Sequence, residues 1–285
     1  MSAALQAAPA LPALGIIAGG GELPRVLIQA CKDANRPYFV LALQDAADDA
    51  TVEAAGDAHA WIRFGAIGKA LDLLRANGAS DLVLAGRVTR PKISSIRPDL
   101  KGAKLLARIS AQLLSGDNEL LSSIVTFLEE EGFRVAGAEE IVADLVAPEG
   151  MIGSIYPDKR AQSDIVIGAR MARSIGALDI GQAVIVQNGQ ILGVEAVEGT
   201  DALIARCSPL KLEEKGGVLV KVKKPQQEKR VDLPTIGLST VEHIAACGFA
   251  GIAIEAGASL ILNRREVARR ADALGIFVVG FSILE

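Results

Sequence analysis

The stretch LGIIAGGGELPRVLIQACKDA, residues 14–34, decides the fold class, because it runs from an aliphatic strand through three glycines into a helical pattern. Leu14 to Ala18 is short and apolar, Gly19, Gly20 and Gly21 interrupt it, and Arg25 to Ala34 carries apolar residues at helical spacing. A strand, a glycine turn and a helix in that order open a βαβ unit. Such a turn brings backbone N–H groups at a helix start towards a phosphate or nucleotide. Two other readings stay open: a plain tight turn, and a dinucleotide site. The latter lacks GxGxxG, and Gln44-Asp45 matches its acidic position only loosely.

Outward from this unit the alternation continues. Tyr38 to Leu43 and Trp61 to Phe64 read as strands, Gly68 to Asn77 as an amphipathic helix, and Asp81 to Gly86 as a buried strand. The expectation is a parallel sheet with helices on both faces, whose ligand rim would collect Gly19–Gly21, Phe64–Gly68 and Gly86–Arg90. Arg87, Arg90, Lys92, Arg97, Lys101, Lys104 and Arg108 follow with only Asp99 opposing them. That stretch suits either an anionic membrane surface or a solvated helix face. Asp117 reads as the cap of a helix through Glu131, stopped by Gly132. The prolines and glycines of APEGMIGSIYPD, residues 147–158, mark a junction. The expected organisation is therefore a poorly ordered tail over 1–14, a Rossmann-like parallel-sheet domain over 15–146, a linker over 147–160 and a mixed α/β domain over 161–285.

In the second half, a helix from Gln162 to Ile175 precedes the strand Ala183 to Val186. Asn188-Gly189 is a hairpin turn, so Ile191 to Val197 should pair back antiparallel. Thr200 or Asp201 could cap a helix over Ala202–Cys207, and Gly217 to Val222 is a strand.

Composition agrees with two α/β domains: 285 residues, half of them apolar, with only 4% aromatics. A net charge of −4 argues against a general nucleic-acid binder, which needs a positive field. Cys31, Cys207 and Cys247 form no CxxC and are odd in number, so neither a disulfide framework nor a zinc site is expected, as in a reducing cytosol. No uncharged apolar run reaches the ~20 residues of a membrane span, which leaves a soluble or peripheral protein.

The strand Gly217–Val222 delivers the most charged segment, KVKKPQQEKRVDLPTIG over 221–237. Pro225 and Pro234 prevent a regular helix there. Lys221, Lys223, Lys224, Lys229 and Arg230 could hold a multiply charged anion, and Glu228 and Asp232 a divalent cation bridging it. A solvated loop is the alternative. His59 and His243 are the only histidines and GxSxG is absent, so a nucleophilic triad is not supported. Carboxylate and lysine chemistry remains, with Glu198, Asp201 and Asp232 able to bind Mg2+ or orient water.

These segments together resemble the UDP-2,3-diacylglucosamine pyrophosphatase family of the LpxI type. The resemblance rests on GIIAGGGELP (15–24), LAGRVTRP (84–91), GDNELL (116–121), LDIGQAVIV (178–186), EAVEGTDALIAR (195–206), KKPQQEKRVDLPTIG (223–237) and GIAIEAG (251–257). It implies a Rossmann-like domain, a C-terminal domain of the family's own type and a substrate held between them. It also implies Mg2+-dependent hydrolysis of UDP-2,3-diacylglucosamine to UMP and 2,3-diacylglucosamine 1-phosphate (lipid X), a step of lipid A synthesis, with water attacking the sugar-side phosphorus. Asp232 falls on the family's essential aspartate, as metal ligand or water-orienting base, with Asp201 a second expected ligand. Gly19, Gly20, Gly21, Thr200, Asp201, Lys224, Gln227, Arg230 and Thr235 are the expected substrate contacts. Many members have Gln-Asp where this chain has Gln227-Glu228, which shifts weight from Glu228 to Asp232. The expected location is the cytoplasmic face of the inner membrane, by transient contact, and a homodimer is left open. The rival readings are a nucleotide-sugar or lipid carrier without turnover, and an NAD(P)-dependent oxidoreductase.

Overall fold

The computed structural model describes residues 11–89, 96–109 and 117–283. Most of the Ala- and Pro-rich start, Arg90, Lys92 and the side chain of Asp117 lie outside that description. The chain forms two compact units, which divide between Ile141 and Val142 except that the first turn of the helix starting at Asp117, through Glu119, groups with the second.

The first unit runs β1 (Ala13–Ala18), α1 (Leu23–Asp33), β2 (Tyr38–Leu43), α2 (Asp49–Ala55), β3 (His59–Ile62), α3 (Ile67–Ala76), β4 (Ala79–Ala85), α4 (Leu100–Ile109), α5 (Asp117–Glu130), β5 (Arg134–Val135) and α6 (Ala138–Ile141). Its sheet has the order β3-β2-β1-β4-β5, and every pair is parallel. That is a doubly wound order with its switch point between β1 and β4. Strands buried on both faces need continuous apolar runs, and Leu14, Ile16, Val40, Leu82 and Val83 are fully buried. His59 lies inside β3 rather than ahead of it.

The second unit contains β6 (Gly150–Met151), α7 (Lys159–Ala177), β7 (Ala183–Gln187), β8 (Gln190–Val194), α8 (Gly199–Cys207), β9 (Val218–Lys221), β10 (Thr235–Ile236), α9 (Leu238–Ala246), β11 (Gly251–Glu255), β12 (Leu260–Ile261), α10 (Arg264–Leu274) and β13 (Phe277–Phe281). The large sheet is mixed, in the order β6-β13-β11-β9-β7-β8. β9, β11 and β13 are parallel, while β6, β7 and β8 join antiparallel. Alternation sorts the core: Ala183, Ile185 and Leu219 pack with α8, α9 and α10, whereas Val184, Val186, Val218 and Val220 face α7. Gly168 lets α7 sit close, since a Cβ there would come 2.5 Å from Val220.

The stretch expected as a linker belongs to this unit. β6 pairs with β13, and Asp158 caps α7 by accepting from the Ala161 N–H at 2.8 Å. The Asn188-Gly189 turn is present with both residues at positive φ (51° and 78°), and β8 ends at Val194.

Candidate functional site

In α/β sheets ligands collect at the carboxyl ends of the parallel strands. In the second unit β9 ends at Lys221 and β11 at Glu255, and Ala183 at the start of β7 lies opposite Lys221. The flanking Gln182 and Glu195 therefore share that edge with loop 222–234. Two polar clusters form there.

In the first, the Lys221 ammonium, 4% exposed, donates to Thr200 Oγ1 at 3.0 Å and to the Thr235 carbonyl at 3.1 Å. The Thr200 hydroxyl donates in turn to Glu195 Oε1 at 2.6 Å, and Glu195 Oε2 accepts the Gln182 N–H. A buried charge must be hydrogen-bonded, and these contacts supply that. Thr200 is thus a bridge rather than the helix cap; α8 begins one residue earlier, with Glu198 at the N-cap.

The second cluster centres on Gln227, itself 5% exposed. Its Oε1 accepts the Lys224 N–H at 3.0 Å, and its Nε2 donates to Gln182 Oε1 at 3.1 Å and to Asp232 Oδ2 at 2.6 Å. Asp232 is half-buried, and among the described residues its Oδ1 has no recorded partner. The Lys224 ammonium pairs with Asp179 at 2.7 Å, and Asp179 takes the positive φ (54°) that ends the turn after α7. The Arg230 guanidinium bonds the two Glu228 oxygens at 2.9 and 3.0 Å and its backbone N–H donates to Oε1 at 3.3 Å, and this bonding holds the Glu228 carboxyl below its usual range against the opposing effect of burial. Both Glu228 oxygens thus engage Arg230, whereas Asp232 is held through Oδ2.

Of the residues expected at the site, Thr200, Lys224, Gln227, Asp232 and Thr235 are joined to these clusters, and Arg230 sits in the same loop. Asp201, expected as a second metal ligand, instead faces His243 Nδ1 at 3.2 Å, both half-exposed. Among the described residues no group of three His, Cys, Asp or Glu is placed to enclose a metal. A cation here would take one protein carboxylate and complete its shell from a phosphorylated ligand or water, a pattern that suits Mg2+. Gln182, Glu195 and Asp179 were not singled out individually from sequence, although they lie within the LDIGQAVIV and EAVEGT stretches that carry the resemblance.

The first unit treats its glycines differently. Gly19 N–H bonds the Ala85 carbonyl at 2.8 Å, Gly20 N–H bonds that of Arg87 at 2.9 Å, and Gly21 N–H bonds Asp48 Oδ2 at 3.0 Å. A Cβ at Gly19 would meet the Arg87 carbonyl at 2.4 Å, and one at Gly20 the Ala46 carbonyl at 2.8 Å. Close packing therefore accounts for these two glycines, and the N–H groups of all three are already engaged.

A depression of about 560 Å3 lies elsewhere in the second unit, lined by residues that include Lys159, Arg160, Asp164 and Asn188. Asp164 accepts the Asn188 and Gly189 N–H groups there, so it anchors the hairpin turn.

Comparison with known proteins matches residues 13–145 to the LpxI N-terminal domain and residues 148–279 to the LpxI C-terminal domain. The chain is 41% identical over 273 residues, covering 94% of its own length and 96% of the relative's, to the UDP-2,3-diacylglucosamine pyrophosphatase LpxI of Caulobacter vibrioides. The chain belongs to the LpxI family.

Proposed function

We propose that this member of the LpxI family hydrolyses the pyrophosphate bond of UDP-2,3-diacylglucosamine, giving UMP and 2,3-diacylglucosamine 1-phosphate. The observation that carries the reading is the 41% identity to a protein of that name across both domains. The Asp232 carboxylate, with one oxygen held by Gln227, supports it at the level of chemistry.

Water attacks the sugar-side phosphorus, a P–O bond forms, and the anhydride P–O bond breaks with its electron pair leaving on UMP. Asp232 either orients that water and takes its proton or holds the divalent cation. Mg2+ bound by Asp232 and the diphosphate would neutralise charge developing on phosphorus. Lys223 and Lys229, with Arg230 neutralising Glu228, give the loop positive charge that favours an anionic ligand. Leu178, Ile180 and Val197, 72%, 46% and 104% exposed, flank the segments that carry Asp179, Gln182 and Glu195, and they supply aliphatic surface for acyl chains. Among the described residues no helix is long and apolar enough to cross a membrane. The diacylated substrate would be met by transient contact with the inner-membrane surface.

Incubation with UDP-2,3-diacylglucosamine, with and without Mg2+, tests this. UMP release that needs both the metal and Asp232 is the expected result. Binding without release would make the chain a carrier, and a thermal shift with NAD(P) but not with the lipid nucleotide would make it an oxidoreductase.

A further inference from the structure

Which way the buried Gln227 amide and the half-buried Gln182 amide face follows from what lies at each end of their chain. The Lys224 N–H can only donate, and an ionised Asp232 carboxylate can only accept. Between them Gln227 must present Oε1 to Lys224, 3.0 Å away, and Nε2 to Asp232, 2.6 Å away. Its second Nε2 hydrogen then reaches Gln182 Oε1 at 3.1 Å, which requires Gln182 to offer its oxygen. Nothing in that sequence of donors can be reversed without leaving two acceptors or two donors in contact.

Gln182 is itself fixed. Its N–H donates to Glu195 Oε2 at 3.1 Å, and its carbonyl accepts the Val222 N–H at 3.0 Å. It therefore ties the Lys221–Thr200–Glu195 cluster to the Gln227–Asp232 cluster, although it stands 45 residues from Gln227 in the chain. Around this chain Lys224 is paired with Asp179 and Arg230 with Glu228, and Glu255 accepts the Lys223 backbone N–H. None of them is recorded as bonding the Asp232 carboxylate.

From this geometry we infer that Gln182 is a positioning residue for the reaction: by accepting from Gln227 it fixes the amide that holds Asp232 Oδ2, and so presents Oδ1 to the cation or the attacking water. The inference rests on Asp232 serving the hydrolysis proposed above. Outer partners that orient a ligating or reacting group typically contribute about 10- to 100-fold to activity.

The test compares Gln182→Met, similar in size but without an acceptor there, with Gln182→Glu, which keeps the accepting oxygen. Both are assayed for Mg2+-supported UMP release from UDP-2,3-diacylglucosamine, with thermal unfolding alongside. The expected result for Q182M is a kcat lower by at least tenfold with KM within threefold of the parent. Q182E should restore at least a third of the parent kcat. A merely structural role predicts the reverse order, since a new carboxylate at a half-buried position disturbs packing more than a thioether. The inference is overturned if Q182M turns over within threefold of the parent, or if both variants fall equally. Should Q182M unfold early, Gln182→Asn, too short to reach Gln227, reads the same loss. Failure of the unsubstituted chain to release UMP, or full turnover by Asp232→Ala, would instead overturn the function on which the inference rests.

Discussion

The glycine turn after β1 and the proline-bounded loop after β9 both occupy the carboxyl ends of strands, yet they close their polar groups by opposite means. In the first, backbone bonds to Ala85 and Arg87 and the Asp48 carboxylate take up the N–H groups of Gly19, Gly20 and Gly21. In the second, side chains do the work, and the chain of amides stops at a carboxylate with one oxygen held. A glycine-rich loop is therefore no guarantee of a phosphate cradle. What matters is whether its donors are already spent.

If that contrast is right, the largest effect belongs to Asp232. Replacement by Asn keeps an acceptor for Gln227 but removes the charge, and kcat for UMP release should fall by about 10^2- to 10^4-fold, the range for a positioned acid or base. The melting temperature should stay near that of the parent, because the carboxylate is half-exposed. A variant as active as the parent would break the comparison on the side of the second unit.

The counterpart in the first unit is Gly19→Ala. The added methyl would lie 2.4 Å from the Arg87 carbonyl, so the adjoining strand ends must shift. Overpacking of this kind costs about 1–3 kcal/mol. Trp61, the only tryptophan, lies on β3 and reports the unfolding of that unit in urea by fluorescence. A midpoint equal to the parent's would show that the turn is looser than its contacts indicate.

Much of the fold was legible, because local chemistry decided it. Three glycines between an aliphatic strand and a helical stripe, and Asn188-Gly189 between two apolar runs, each have one economical backbone solution. The site was legible only in part. RVDLPTIG pointed to Asp232, but its partner chain joins residues distant in sequence, such as Gln182 with Gln227, which no periodicity connects. The cap of α8 was open between Thr200 and Asp201, because a hydroxyl or carboxylate before a helix is usually one; the helix instead begins at Gly199, and Glu195 and Lys221 claim the Thr200 hydroxyl. The prolines and glycines of 147–158 suggested a linker, whereas Gly150 and Met151 complete a sheet edge.

A third prediction sharpens the contrast through pH. Burial pushes the Asp81 carboxyl up, but Arg134 and Arg36 outweigh it, the latter at 2.6 Å, and the folded value ends below the ordinary one. Burial likewise opposes, and bonds from Thr51, Gly21 and Arg25 overcome, at Asp48. A lowered folded value means stabilisation that is complete above the ordinary carboxylate range and is lost as pH falls through the folded values. The Trp61-monitored urea midpoint should therefore hold down to about pH 5 and drop as the pH is taken below about 4, and Asp81→Asn should flatten that dependence.

The smallest effect is expected at Glu228, the one acidic residue of the loop besides Asp232. If it were a cation ligand, Glu228→Gln would weaken Mg2+ dependence severely, because a neutral amide replaces a hard anionic donor. Its contacts with the Arg230 guanidinium and backbone N–H engage the carboxylate elsewhere. An amide can keep one of those contacts, and losing a single hydrogen bond of this half-buried pair costs about 1 kcal/mol. UMP release by E228Q should remain within about fivefold of the parent, with an unchanged Mg2+ titration midpoint, since 1 kcal/mol corresponds to roughly that factor. A shift of that midpoint by an order of magnitude would move the metal site onto Glu228 and leave Asp232 as the base alone.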